Sequence, residues 1–280
     1  MQLGIFAKTF EGREPLTVLA AAKAAGYHTV QYNMACSGLA GMPDAIAGPV
    51  AAAVSVMAGK AGVRIAAVSG TYNMIHPNVT ERNRGMARLA VLAASCAAMG
   101  TGLITLCTGT RDAADQWRWH PDNASRQAWL DLLQAMEAAI AIAERYNIDL
   151  GIEPELANVV NSAARARQLM DELKSPRVKI VLDPANLFER EPLKQQRRIV
   201  SSAIELLAGR IVMGHAKDRN VDGTFATAGT GCLDYPHYLS GLKGIGFDGP
   251  LITHGLAAGE ASGVAQFLKA AAHSAGIAVA

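Results

Sequence analysis

Short apolar and β-branched runs alternate along this chain with longer, Ala-rich segments whose apolar positions recur at helical spacing. Eight runs read as strands: Leu3–Phe6, Thr29–Tyr32, Arg64–Ser69, Leu103–Thr108, Asp149–Glu153, Lys179–Asp183, Ile211–His215 and Leu251–His254. Each has the usual strand length of about five residues. The segments between them predict helices over Leu16–Ala25, Asp44–Ala61, Glu81–Ala98, Ala124–Tyr146, Ala163–Leu173, Lys194–Leu207, Tyr235–Lys243 and Ser262–Ala271. Asn123-Ala124-Ser125 offers a cap for the fourth helix, and Gly62, Gly100 and Gly209 follow helix ends. The phrases AAGY, KAGV, AMGT, RYNI and GIGF each read as a helix turning back into a strand.

Eight strands alternating with eight helices predict an α/β fold, a closed (β/α)8 TIM barrel, rather than an open doubly wound sheet. An open nucleotide-binding sheet would want a GxGxxG turn after the first strand, and Ala7-Lys8-Thr9-Phe10-Glu11 stands there instead. No composition break divides the chain, so residues 1–280 are expected to form one domain.

Half of the 280 residues are apolar and 18% are charged, enough apolar material for a large core. The net charge of +2, with no Lys/Arg run, argues against nucleic acid as a partner. The apolar stretches are interrupted, which argues against a membrane span. Cys36, Cys96, Cys107 and Cys232 form no CxxC pair and read as reduced thiols. With no signal-peptide pattern at the start, the expected location is the cytoplasm.

Barrel enzymes build their sites at the C-terminal ends of the strands. The fifth strand ends in Glu153-Pro154-Glu155, the sixth in Asp183-Pro184-Ala185-Asn186, the seventh in His215-Ala216-Lys217-Asp218-Arg219 and the eighth in His254-Gly255. Any one of these has an ordinary structural explanation: an acid can cap the next turn, and Asp218 can pair with Lys217 or Arg219 at the surface. Four in succession point to a divalent cation, because carboxylates converging on a buried point need a compensating charge. A mixed N/O donor set suits Mn²⁺, Zn²⁺, Co²⁺ or Fe²⁺ better than Ca²⁺.

The segments IEPE, VLDPANL, GHAKD and GTGCLDY, with AAVSGTYNMIHP and LCTGTRD before them, resemble the sugar-phosphate isomerase/epimerase superfamily, the xylose-isomerase-like barrels. The resemblance spans nearly the whole chain. It implies one divalent metal ion held by Glu153, Asp183 and His215, with a fourth ligand from the last strand. Relatives carry Glu at that fourth position, where this chain has His254. It also implies proton transfer next to a carbonyl, for which Glu153 and His254 are the expected catalytic pair. Imidazole can take part because it titrates near neutral pH.

Asn186 stands where relatives have a substrate-contacting His, and Arg219 resembles the family arginine that binds a hydroxyl or an anion. Asn73, Glu155 and Trp117 complete the expected substrate contacts. Lys8, His76, Thr108, Gly109 and Arg111 are further loop residues of the same mouth. Trp117, Trp119 and His120 lie in a polar loop that reads either as a lid over a sugar or as a contact with another subunit.

The expected function is a metal-dependent isomerase or epimerase acting on a small sugar, keto-sugar or related polyol. The alternatives are an inosose-type dehydratase or isomerase and a non-catalytic sugar-binding barrel. An abasic-DNA endonuclease would need additional His ligands and a basic groove, which the sequence lacks. A homodimer or homotetramer is the assembly the resemblance implies.

Overall fold

The computed structural model describes residues 1–279. Eight parallel strands close into a barrel: β1 (Gln2–Phe6), β2 (Thr29–Tyr32), β3 (Arg64–Ser69), β4 (Leu103–Cys107), β5 (Asp149–Glu153), β6 (Val178–Leu182), β7 (Ile211–Ala216) and β10 (Pro250–Thr253). Closure is made by β1 against β10, with Leu3 opposite Leu251 and Ile5 opposite Thr253. Helices α1 (Pro15–Ala24), α2 (Gly48–Ala61), α3 (Val79–Met99), α4 (Arg126–Tyr146), α5 (Ala163–Leu173), α6 (Leu193–Leu207), α7 (Tyr235–Gly244) and α8 (Ala261–Ser274) occupy the connections. The arrangement is a (β/α)8 TIM barrel.

Local chemistry sets the element ends. Ser125 Oγ accepts from Ala128 N at 3.1 Å and caps α4. Gly62 and Gly100 end α2 and α3 in the left-handed region, where a side chain is strained, and Asn147 does the same for α4. Several element ends shift by a few residues, two of them for a clear local reason. The second helix begins at Gly48 rather than Asp44, with Pro49 setting its first turn. The sixth strand stops at Leu182, because Asp183 caps a short 3₁₀ turn at Pro184–Asn186.

The pleat decides which residues reach the centre. Side chains alternate between the helix layer and the barrel axis. Ala67, Val181, Met213 and Ile252 form a small apolar cluster apart from the main core, and they plug the barrel interior. Glycines on neighbouring strands make room for it. A Cβ on Gly151 would stand 2.9 Å from Val181 Cγ2, and one on Gly4 would strike Ile252. Two residues further along the same strands, with the same parity, come Asp183, His215 and His254. The polar site is thus the layer above an apolar plug.

The pattern did not reveal one element. After β7 the chain forms a two-stranded antiparallel hairpin, β8 (Asp218–Arg219) and β9 (Phe225–Ala226). Asp218 fixes the connection that follows. Its Oδ1 accepts from the backbone N–H of Arg219 at 2.8 Å and of Leu233 at 2.9 Å, and its Oδ2 accepts from Gly229 N at 3.0 Å. Among the described residues, no helix is long and apolar enough to cross a membrane.

Asp218 is buried, so its loss leaves three N–H groups without an acceptor. Asp218→Ala is expected to lower the unfolding free energy by about 2–5 kcal/mol. Asp218→Asn, which keeps an acceptor oxygen, should cost less. Urea unfolding followed by circular dichroism measures both.

Candidate metal centre and active site

Glu153 is the last residue of β5, and Asp183 follows β6 directly. His215 is the penultimate residue of β7, and His254 follows β10. One ligand atom from each lies within 4.8 Å of all the others. Atoms bound to one ion at about 2.0–2.2 Å sit at comparable mutual separations, so the four groups fit a divalent metal in both spacing and donor type. Glu153, His215 and His254 line the floor of a cavity of about 600 Å3 that opens at the barrel mouth, with Asp183 fully buried beside them.

The contacts are close. His215 Nδ1 is 3.2 Å from Glu153 Oε1, and Asn186 Nδ2 donates to the same oxygen at 2.8 Å. His254 Nε2 is 3.1 Å from Asp183 Oδ2, and Lys217 Nζ is 3.2 Å from that oxygen. The two imidazole rings are tilted against each other with centroids 4.5 Å apart. Asp183 Oδ1 accepts from Ala185 N at 2.9 Å. The capping role and the site role therefore fall on the same carboxylate, one oxygen for each.

Burial alone would raise both carboxyls. At Asp183 burial is the largest single effect, but Lys217, His254 and His215 together outweigh it and hold the group well below the carboxylate range. At Glu153 burial is likewise overcome, chiefly by His215, and the group is lowered. His254 is lowered by burial and by His215 against the pull of Asp183, which favours its neutral form, the form that binds metals. Glu155 behaves differently. Burial pushes it up to about 7, with Glu153 and Asp183 adding to the rise and Lys217 opposing it. Among the described residues its carboxylate takes no hydrogen bond.

The expected substrate contacts divide. Glu155, Asn186 and Trp117 line the cavity with Glu153, His215 and His254, as do Lys8 and Cys107. Cys107 is nevertheless a buried thiol, raised far above its ordinary value by burial, Glu153 and Glu155. Asn73 does not line it. Its Nδ2 donates to Thr110 O at 2.8 Å and its Oδ1 accepts from Thr110 N at 3.0 Å, so it ties the β3 and β4 loops together. Gly109, with φ +82° and no room for a Cβ beside Asn73, makes that tie possible. Asn73 faces an adjoining cavity of about 450 Å3, which meets the first at Met42, Gln116 and Trp117. Trp117 and Trp119 are exposed.

Arg219 is also absent from the cavity lining. It is buried, donating from Nε to Ala185 O at 2.9 Å and bonding Gly223 O, and it lies over the Phe225 ring at 4.2 Å. It is neither a substrate contact in this arrangement nor a solvated surface cation; it fastens the hairpin to the β6 turn.

Lys217, Phe225 and Gln31 are among the cavity residues that the sequence reading missed. Lys217 is no surface partner of Asp218. It is buried, bonds Asn186 Oδ1 at 2.7 Å, and sits 3.8 Å from the Phe225 ring centre. The signal was its spacing, since Lys217 shares parity with His215 on leaving β7. Phe225 belongs to the unanticipated hairpin. Gln31, at the end of β2, was overlooked because an amide among strand residues carries no ligand signature.

Residues 19–271 match the sequence profile of the xylose isomerase-like TIM barrel family. No curated protein matches the chain at a significant level. Among solved structures it is similar to an L-ribulose 3-epimerase, with a TM-score of 0.77 and 16% identity over 98% of this chain and 95% of that one. It is similar as well to a 3-keto-D-glucoside 4-epimerase from E. coli, with a TM-score of 0.75 and 15% identity over 96% and 99%. A xylose isomerase domain protein from Planctomyces limnophilus aligns with a TM-score of 0.72 and 17% identity over 98% and 96%. At such identities these structures speak for the fold alone, while the sequence match extends over most of the chain. The chain belongs to the xylose isomerase-like TIM barrel family.

Proposed function

We propose that this protein is a divalent-metal-dependent isomerase or epimerase that moves a proton next to the carbonyl of a small sugar, keto-sugar or related polyol. The observation that carries the reading is the convergence of Glu153, Asp183, His215 and His254 on one point in the floor of an open cavity. Family membership supports it, as do the similar structures described as sugar epimerases.

A divalent ion such as Mn²⁺, Zn²⁺, Co²⁺ or Fe²⁺ held by these four residues would polarise a substrate oxygen beside the carbon that exchanges its proton. Glu153 is the base. It is held ionised, and its close polar contacts, with His215 Nδ1 and Asn186 Nδ2, both fall on Oε1, which leaves Oε2 for the proton. His254, across the mouth, would supply the last ligand nitrogen in its neutral form; as the group that returns the proton it would act in its protonated form, released from the ion. Asn186, Glu155 and Trp117 hold the hydroxyl-bearing chain of the substrate, and Lys217 balances the Asp183 charge. Asn73 and Arg219 have no part in this scheme. A second reading assigns the returning proton to Glu155, favoured by a cavity-facing carboxyl that takes no hydrogen bond and titrates near neutrality.

Glu153→Gln should reduce exchange of the substrate α-proton with solvent by at least about 10²–10⁴-fold. Deuterium uptake from D2O across a panel of ketoses and inososes, read by NMR, makes the measurement. Wild-type protein that binds these sugars without exchange would instead establish a binding barrel. His254→Ala should weaken Mn²⁺ binding by at least about 10-fold, the loss usual even for outer partners of metal ligands. His254→Glu should retain binding; calorimetric titration distinguishes the two.

Glu155 also makes stability depend on pH in metal-free protein. Its folded value near 7 lies above the ordinary 4.5. Between those values the native state holds a proton that the unfolded chain has released. Its contribution to stability therefore falls as pH rises from about 4.5 through 7. Glu155→Gln should stabilise the metal-free protein at pH 8 by at most about 3 kcal/mol and leave it unchanged at pH 4. Thermal unfolding in EDTA at the two pH values checks the sign.

A further inference from the structure

Gln31 lies on β2, with β1 and β10 between it and β7 around the barrel, yet it touches His215. Its Oε1 is 2.9 Å from His215 Nε2, and its Nε2 donates to Thr105 Oγ1 on β4 at 3.0 Å. All three side chains are buried, with Gln31 7%, Thr105 2% and His215 3% exposed. The chain of contacts continues on the other side of the ring, where His215 Nδ1 faces Glu153 Oε1 at 3.2 Å.

A neutral imidazole carries one proton, and the nitrogen that carries it cannot bind a metal. His215 turns Nδ1 toward Glu153, so an ion shared by the two requires the proton to sit on Nε2. A buried Nε2–H needs an acceptor, and the Gln31 carbonyl oxygen is in place to be that acceptor. Were the amide turned over, its NH2 would face Nε2 and drive the proton to Nδ1, blocking the ligand position. Thr105 anchors the amide nitrogen on the far side and keeps the carbonyl in reach.

We propose that Gln31 is a positioning residue that holds His215 as its Nε2–H tautomer and so presents Nδ1 to the metal. The inference rests on the metal-centre reading, but it needs no assumption about substrate or reaction. Metal-bound histidines commonly donate their second N–H to an oxygen acceptor, and loss of that acceptor typically costs 10–100-fold in metal affinity. Here the acceptor is an amide borrowed from another strand.

The test uses Gln31→Leu, which removes the acceptor at similar bulk, and Gln31→Glu, which keeps an acceptor oxygen toward His215 and another for the Thr105 hydroxyl. In Zn²⁺-loaded wild-type protein, ¹⁵N-histidine spectra should show His215 protonated at Nε2, and in Gln31→Leu that N–H resonance should move upfield as its hydrogen bond is lost. Calorimetric titration with Mn²⁺ should weaken about 10–100-fold in Gln31→Leu and stay close to wild type in Gln31→Glu. Wild-type affinity in Gln31→Leu, an Nδ1–H tautomer in the wild type, or equal losses in both variants would overturn the proposal. The last of these would show a role in packing only. Wild-type protein that exchanges no substrate proton yet shows the expected tautomer and Mn²⁺ pattern would sink the isomerase reading and leave this one standing.

Discussion

Asp183 is fully buried and ionised, a state that apolar surroundings penalise by several kcal/mol unless cations and N–H groups answer the charge. Much of the barrel mouth is arranged to answer it. Ala185 N caps one oxygen, and Lys217 and His254 flank the other. Lys217 in turn is held by Asn186 Oδ1 and by the face of Phe225. Phe225 stands on the hairpin that Arg219 fastens below, and Asp218 anchors the connection that follows the hairpin. The GHAKD and VLDPANL segments are thus two halves of one charge-compensating unit. A buried ion pair of this kind is weak evidence for stability, because an apolar replacement would serve the fold as well. Its presence above an apolar plug of Val181, Met213 and Ile252 speaks for chemistry at that position.

The barrel was legible because its signals are local. Strands and helices differ in period, and caps such as Ser125, Gly62 and Gly100 stand next to the turns they end. The four ligand candidates were legible for the same reason, since parity along a strand sets which end residue faces the axis. What the sequence hid depends on pairings across the barrel. Gln31 and His215 are 184 residues apart and meet only once closure and register are set. A two-residue strand such as Phe225–Ala226 has no period to detect. Asn73 and Arg219 stand outside the cavity lining, which the sequence could not tell, because an amide or guanidinium after a strand end looks the same whether it faces the cavity or bonds a neighbouring loop. Their backbone partners, Thr110 and Ala185, decide it, and nothing local predicts them.

The exchange of a carboxylate for His254 has consequences beyond the ligand set. A carboxylate there would add a third negative charge beside Glu153 and Asp183, with Lys217 the one ammonium bonded to the cluster. Imidazole leaves the cluster less anionic, and its neutral form is favoured by burial and by His215. The donor set thereby shifts toward nitrogen, which suits the borderline metals rather than the hard ones.

On the proposed reading, the partner of Glu153 in proton transfer determines what kind of reaction the site can run. Glu153 ends β5, and His254 follows β10, with β6 and β7 between them around the barrel. Groups so separated flank a substrate from two sides, which suits inversion at a carbon: one removes a proton and the other delivers it to the opposite face. Glu155 follows Glu153 by two residues on the same strand end. A pair drawn from one side of the mouth suits transfer between adjacent carbons on a single face, as in aldose–ketose isomerisation. Epimerised product therefore assigns the second proton to His254, and a shifted carbonyl with retained configuration assigns it to Glu155.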